Sequence, residues 1–332
     1  KKVKMELSKE ITLDRAQARA VVAMQLEKAA QDGNDELVAF LVDSGADVNA
    51  VVCEQLYTPT FMAAQKGHTS TIELLARLGA DLDIQNAHGV TPLFVAAQEG
   101  RIDAVRILCA LGADSSLRNS HGFTPLHMVA HKGNVECAQC LLEIGSADPS
   151  ACNDSGVTPA FIAAAQGSNR VLRLLVEVYG VDTEVADANG ATPLYMAAYK
   201  GHASTVRLLA ELGANMAATK SAGRTTLSIA RRSGHSKVVA LVEEVHAWQA
   251  LASAGRTKGL RHALVHEDAD DECSGQGGSS GGAGFGGWQE EEDEEQEHEE
   301  GDGSSGGGGG SGGSLDGASS SPCAAASSSS SS

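Results

Sequence analysis

The sequence has no run of about 20 apolar residues, the length needed to cross a bilayer, so we expect no membrane segment. It also lacks the apolar stretch of a secretory signal after Lys1-Lys2-Val3-Lys4. Its seven cysteines are an odd number and form no small disulfide framework. This pattern favours reduced thiols and a cytoplasmic or nuclear location.

Basic charge is also scarce, and the formal net charge is −18. From His266 onward there are 16 Asp or Glu residues and no Lys or Arg. Since 16 of the 43 acidic residues lie there, the first 265 residues carry 27 acids against 25 bases. A nearly neutral body lacks the basic footprint that neutralises phosphates, so we expect no nucleic-acid partner.

The segment 266–332 combines runs of glycine and serine with nine acids between Glu290 and Glu300. Dense like charge and little apolar surface predict a disordered tail. Two roles stay open: the tail keeps the molecule soluble, or it is an acidic interaction tail that recruits a basic partner or competes for the protein's own ligand site. Phe285 and Trp288 are its aromatic candidates for an anchor.

A repeat dominates the rest of the chain. Its threonines are spaced by 33, 33, 34, 34 and 33 residues, and a second series of glycines runs in phase with them. The threonines are Thr58, Thr91, Thr124, Thr158, Thr192 and Thr225, and the glycines are Gly33, Gly67, Gly100, Gly133, Gly167, Gly201 and Gly234. Two independent marks that keep one period over more than 200 residues indicate a repeat protein.

The segments that follow each threonine, such as Phe123-Thr124-Pro125-Leu126-His127-Met128-Val129-Ala130, resemble the ankyrin repeat, whose signature is Thr-Pro-Leu-His-x-Ala. The resemblance covers roughly residues 20–250. It implies an all-α solenoid of paired antiparallel helices with β-hairpin-like loops. The expected divisions are a partly helical flank (1–19), seven units near 20–52, 53–85, 86–118, 119–152, 153–186, 187–219 and 220–250, a helical extension or linker (251–265) and the disordered tail (266–332).

Each unit can also be interpreted from its own residues. Thr58 can cap a first helix that has Pro59 at its first position, where a missing N–H costs nothing. Paired alanines allow close helix packing, and Gly67 can end the helix in a left-handed conformation. A second apolar stripe such as Ile72, Leu74 and Leu75 predicts a second helix.

Some units depart from the pattern. The family histidine is present only at His127, and aromatic residues replace it in four other units, at Phe61, Phe94, Phe161 and Tyr195. Leu56 stands where a turn glycine belongs, which predicts a distorted hairpin tip. One residue is inserted around 145–148, and we expect it to bulge a loop. Met24-Gln25 and Thr226 replace parts of the signature in the first and last units, as terminal caps allow.

The resemblance implies that a concave surface, made of hairpin tips and first helices, binds a protein partner. Residues at these positions vary while the framework does not. The central units hold the aromatic and cationic types that dominate interface energy. The candidate partner-binding residues are Tyr57, Lys66, His88, Gln98, His121, Phe123, His131, Lys132, Gln166, Tyr199, Lys200 and Arg232.

A metal site is the main alternative chemistry, because Cys137-x-x-Cys140 lies near His127 and His131 in the sequence. Both cysteines, however, fall on the apolar stripe of a second helix, which favours buried thiols. Histidines such as His68, His202 and His235 recur at one repeat position, so we attribute them to architecture. No catalytic motif is present, and we expect no metal, no cofactor and no enzymatic activity.

These features favour a non-enzymatic scaffold or adaptor, monomeric and without a coiled coil. The alternatives are the recognition arm of a larger enzyme or channel, of which this chain is a fragment, and a purely structural spacer. The segment Trp248 to Leu264 is either a basic amphipathic helix that a partner binds or, as we favour, an extension of the terminal cap.

Overall fold

The computed structural model describes residues 2–51, 55–218, 220 and 223–253, and these residues form fourteen α-helices and no β-strand. The predicted all-α repeat fold is confirmed. The predicted disordered tail (266–332) lies outside the described residues, as does the extension beyond residue 253.

The helices form two rows. An inner row packs each helix against its counterpart in the next repeat, and an outer row lies behind it. The inner helices are α1 (Lys2–Asp32), α3 (Pro59–Lys66), α5 (Pro92–Gln98), α7 (Pro125–Lys132), α9 (Pro159–Gln166), α11 (Pro193–Lys200) and α13 (Thr226–Arg232). The outer helices are α2 (Asp35–Asp43), α4 (Thr69–Arg77), α6 (Ile102–Ala110), α8 (Val135–Gln139), α10 (Asn169–Arg173), α12 (Ala203–Glu211) and α14 (Ser236–Ser253).

The expected boundaries at 19/20 and 250/251 fall inside the two long terminal helices, α1 and α14. Met24, in α1, is exposed, whereas Thr226 at the other end is buried. The long α14 continues through Val245 and Trp248.

A threonine begins the typical inner helix and a glycine ends it. The Thr58 hydroxyl accepts a hydrogen bond from the Phe61 N–H at 3.1 Å, and proline follows as the first helical residue. Gly67 ends the helix with a φ of 83°, a conformation that glycine adopts without strain. Between these ends the side chains of Ala63 and Ala64 are fully buried, so the predicted close approach of helices is confirmed.

The inserted residue does not bulge a loop, contrary to the sequence-based expectation. Instead, α8 continues as a π-helical turn, Cys140–Ile144, and α10 continues as another, Leu174–Val178. The bond that closes the outer helix spans six residues here (Ala147 N–H to Leu141 O, 2.9 Å), against five in a 33-residue unit (Ala80 N–H to Leu75 O, 2.9 Å). The wider turn absorbs one residue inside the helix.

The hairpin tip at Leu56 has the same backbone conformation as the next tip along the stack. Leu56 has a φ of 57°, close to the 72° of Gly89 at the same repeat position. The Ala87 N–H still donates to Gln55 O at 3.0 Å. The predicted distortion is therefore absent at residues 55 and 56, and the strain lies in a leucine that adopts a left-handed conformation.

Replacing Leu56 by glycine is expected to stabilise the protein. A left-handed conformation costs a non-glycine residue about 1–2 kcal/mol, and the greater unfolded-state freedom of glycine offsets roughly half of that. The free energy of unfolding of Leu56→Gly, measured by urea denaturation, should rise by about 0.5–1 kcal/mol. Leu56→Ala is the control, because it removes the same side-chain contacts and keeps the strain. A glycine variant no more stable than the alanine variant would contradict this account.

Candidate functional site

The inner-helix face consists of the last residues of the inner helices and the hairpin tips beside them. We define the end row as the residue before each helix-ending glycine in five successive units: Lys66, Glu99, Lys132, Gln166 and Lys200. All are exposed except Gln166, which is half-buried. One fixed position therefore presents cationic, anionic and neutral side chains to solvent.

The other candidates divide by burial. Gln98, His131 and Tyr199 lie one residue before the end row and are half-buried, as is Tyr57 ahead of α3. His88 and His121 at the tips and Arg232 in the last turn of α13 are exposed. The structure thus brings most of the predicted residues onto one series of helix ends and tips.

Phe123 is a correction. Only 4% of its surface is exposed, and its ring meets the His127 ring edge-on, with centroids 5.6 Å apart. The interpretation of Phe123 as an exposed anchor is therefore wrong. Its repeat position precedes the capping threonine, and the equivalent Val157 and Ala191 are buried too. Tyr57, at the same repeat position, stacks on Phe61 with a centroid separation of 4.7 Å.

An aromatic and a cation meet at one point of the face. The Lys200 ammonium lies 5.3 Å from the centroid of the Tyr199 ring, within the range of a cation–π contact. Two repeats away along the stack, His131 is half-buried beside Lys132. Burial, and secondly the positive charge of Lys132, lower the pKa of His131 and so favour its neutral ring.

The hairpin tips are held by polar side chains at their bases. The Asn86 Oδ1 accepts from the backbone N–H groups of His88 and Val90, each at 2.9 Å, and Asn119 does the same in the next tip. Neighbouring tips are joined where the Ser120 N–H donates to His88 O at 2.9 Å. His88 and His121 therefore project from an ordered loop framework.

A second set of contacts, which was not predicted from the sequence, fixes the ends of the inner helices. His68, His202 and His235 each place Nε2 at 2.9–3.1 Å from a backbone carbonyl near the end of the preceding inner helix. Arg101 Nε donates in the same way to Gln65 O at 3.2 Å. The signal was the recurrence of a long polar side chain directly after the helix-ending glycine. These bonds tie the backbone that carries Gln65 and Tyr199 to the following repeat.

His127 is a framework residue. It is fully buried, its Nδ1 accepts from the Thr124 N–H at 3.1 Å, and its Nε2–H donates to Val157 O at 3.0 Å. Burial lowers its pKa to about 4, and the nearby charge of Arg118 acts in the same direction. His127 is therefore neutral in the folded protein above that pH and joins two units of the stack.

The cysteines are packed like apolar side chains. Cys109, Cys137 and Cys140 are buried and unpaired, as the register of Cys137 and Cys140 predicts. Burial raises the pKa of Cys109 to about 11 and that of Cys137 to about 12, which keeps both thiols protonated. Within the described ranges, no three His, Cys, Asp or Glu side chains are grouped so that they could hold a metal ion.

None of the helices in the described part of the chain is both long enough and apolar enough to cross a membrane.

Comparison with known proteins identifies the repeat. A family model described as ankyrin repeats (3 copies) matches residues 26–119, 111–187 and 161–247, which together span well over half of the chain. No curated protein matches the chain.

His127 should make stability depend on pH. Its folded-state pKa of about 4 is below the ordinary 6.5, so its contribution is complete above pH 6.5 and is lost as pH falls towards 4. Between pH 7 and pH 5 this loss is about 2 kcal/mol. Phenylalanine occupies the same position at Phe61, Phe94 and Phe161, so His127→Phe is a matched variant.

Urea denaturation at pH 7 and pH 5 should show a smaller drop in the free energy of unfolding for His127→Phe than for the parent. Equal drops for the two proteins would show that His127 does not titrate on unfolding as described.

Proposed function

Since the chain belongs to the ankyrin-repeat family, whose members are generally protein–protein interaction modules, we propose that it is a non-enzymatic scaffold or adaptor that binds a protein partner on its inner-helix face. The observation that carries the proposal is the contrast within each unit between a constant framework and a variable end row. Thr58, Pro59 and Gly67 have equivalents in most units, whereas the end row changes chemistry from unit to unit.

Energetics supports the proposal because hydrogen bonds within the protein already hold the backbone of this face in place. The bonds from His202 and His235 fix the carbonyls of Ala165 and Tyr199, one residue before the end row. Side chains on a fixed backbone lose less entropy on binding, which leaves more of the contact energy as affinity. Tyr199 is one of the residue types that dominate measured interface energies, and Lys200 places a cation beside its ring.

The proposed contact residues are the earlier candidates without Phe123. They fall into the end row and its neighbours, together with the two tip histidines and Tyr57 ahead of α3. The set is Tyr57, Lys66, His88, Gln98, His121, His131, Lys132, Gln166, Tyr199, Lys200 and Arg232. A cytoplasmic or nuclear location remains part of the proposal, supported by the unpaired thiols of Cys109, Cys137, Cys140 and Cys152.

A triple variant tests the face. Lys132→Ala, Tyr199→Ala and Lys200→Ala together should abolish capture of a specific partner from a lysate of the source cells, detected by mass spectrometry. Truncation of a hot-spot residue costs about 2 kcal/mol or more, and the combined loss from three central contacts should remove a micromolar complex.

The control variant carries Arg170→Ala, Tyr179→Ala and Lys237→Ala, the same residue classes on the outer side of the stack. Circular dichroism and thermal unfolding establish that both variants fold. If both variants retain the same proteins as the parent, the inner-helix face is not the binding site.

A further inference from the structure

Cations recur along the end row at every second repeat. Lys66, Lys132 and Lys200 each occupy the last residue before a helix-ending glycine, and all three side chains are exposed. Arg232 is exposed in the last turn of α13, where the series ends. Between Lys66 and Lys200 the end row contains one acid, Glu99.

The lysines of the end row differ from two arginines of the outer helices. Among the described residues, Lys66, Lys132 and Lys200 form no ion pair with a carboxylate. Arg106 lies 3.4 Å from Asp103, and Arg173 lies 2.8 Å from Glu177. The charges of Arg106 and Arg173 are thus neutralised locally, whereas the three lysines of the end row are exposed and have no carboxylate in ion-pair contact.

Interaction with the helix dipole does not account for these lysines. A cation in the last turn of a helix gains about 0.3–1 kcal/mol from the dipole, and this applies to each of the three. The same repeat position nevertheless carries Gln166 as the last residue of α9 and Glu99 as the C-cap residue of α5. The fold therefore accepts an acid and a neutral amide there, and the choice of lysine is not imposed by helix stability.

Five units carry a carboxylate at another fixed position. It lies in the loop after the outer helix, and each Oδ1 accepts from the backbone N–H two residues ahead at 2.8–3.0 Å. These acids are Asp47, Asp81, Asp114, Asp148 and Asp182. They are held by their own turns and do not pair with the lysines of the end row.

We propose that the segment bound on the inner-helix face is acidic, an extended stretch of the partner chain rich in Asp and Glu; this rests on the proposed function of that face. Charge complementarity gives the argument, because the end row carries three exposed lysines against one acid, Glu99, and none of the three forms an ion pair among the described residues. The Lys200–Tyr199 pair adds an apolar contact for one side chain of the segment.

Spacing sets the length of that segment. Neighbouring helices pack about 8–10 Å apart, so lysines two repeats apart are separated by roughly 20 Å and the row from Lys66 to Lys200 by about 40 Å. An extended chain advances about 3.3 Å per residue. A segment of about 12 residues, with acids about six residues apart, therefore reaches all three lysines.

A peptide titration tests the proposal with the full chain. The probe is a fluorescein-labelled 14-residue peptide of alternating Glu and Ser, followed by fluorescence anisotropy, with a Gln/Ser peptide of equal length as the neutral comparison. The expected result is saturable binding of the Glu/Ser peptide only, weakened as salt rises from 50 to 300 mM because ion pairs at a surface are screened.

Charge reversal locates the binding. Lys66→Glu, Lys132→Glu and Lys200→Glu together should weaken binding by about tenfold or more, as loss of complementary charge predicts. The control, Arg77→Glu, Arg106→Glu and Lys237→Glu, changes the net charge by the same amount on the outer helices and should leave affinity within about twofold. The acidic segment of the chain could itself occupy the lysines and mask peptide binding. The parent and both variants are therefore also made with the nine acids between Glu290 and Glu300 replaced by Gln or Asn.

Three outcomes would each overturn the proposal. In the first, the Glu/Ser peptide binds neither the natural chain nor the chain whose nine acids are replaced, and in the second, the end-row and control reversal variants lose affinity equally. The third outcome is that a 14-nucleotide oligothymidine binds more tightly than the peptide. The last outcome would make the face a nucleic-acid site. If the captured partner is lost from the alanine variant above while the Glu/Ser peptide does not bind, the acidic-segment proposal fails and the partner-binding function stands.

Discussion

The stack depends on close packing between short inner helices. Except for α1, each has only seven or eight residues, too few to persist alone in water. Each is stabilised instead by burying small side chains such as Ala63, Ala64, Ala96 and Ala97 against the next inner helix. The hairpin tips, the carbonyl contacts of the histidines and the end row all take their positions from this packing.

The same packing explains which features were predictable from the sequence. The Thr-Pro start and glycine end of each unit are local signals, and they predicted the inner helices and the exposure of Lys66, Lys132 and Lys200. Phe123 was assigned to the surface because its residue type suits an interface. The apolar residues at its repeat position, Val157 and Ala191, were the signal of burial. The π-helical turns could not be predicted, since an extra residue in the sequence does not reveal whether a loop or a helix will absorb it.

Polar groups in this molecule divide between architecture and surface in a regular way. His127 and the asparagines at the tip bases form hydrogen bonds that the fold requires, and His68 and its counterparts connect successive units. The loop aspartates accept backbone hydrogen bonds within their turns. The side chains of the end row make no such conserved contacts, so they can differ from unit to unit, and this is where the lysines concentrate.

Because of the π-helical turns, a unit can be one residue longer while its inner helix keeps its length. The extra residue in each of two consecutive units is absorbed at the end of an outer helix, on the far side from the end row. The inner helices of those units, α7 and α9, keep the same eight-residue length as α3 and α11. A surface built this way can survive insertions in its own coding sequence, because the outer layer accommodates the added residue without a change in the inner helices that carry the end row.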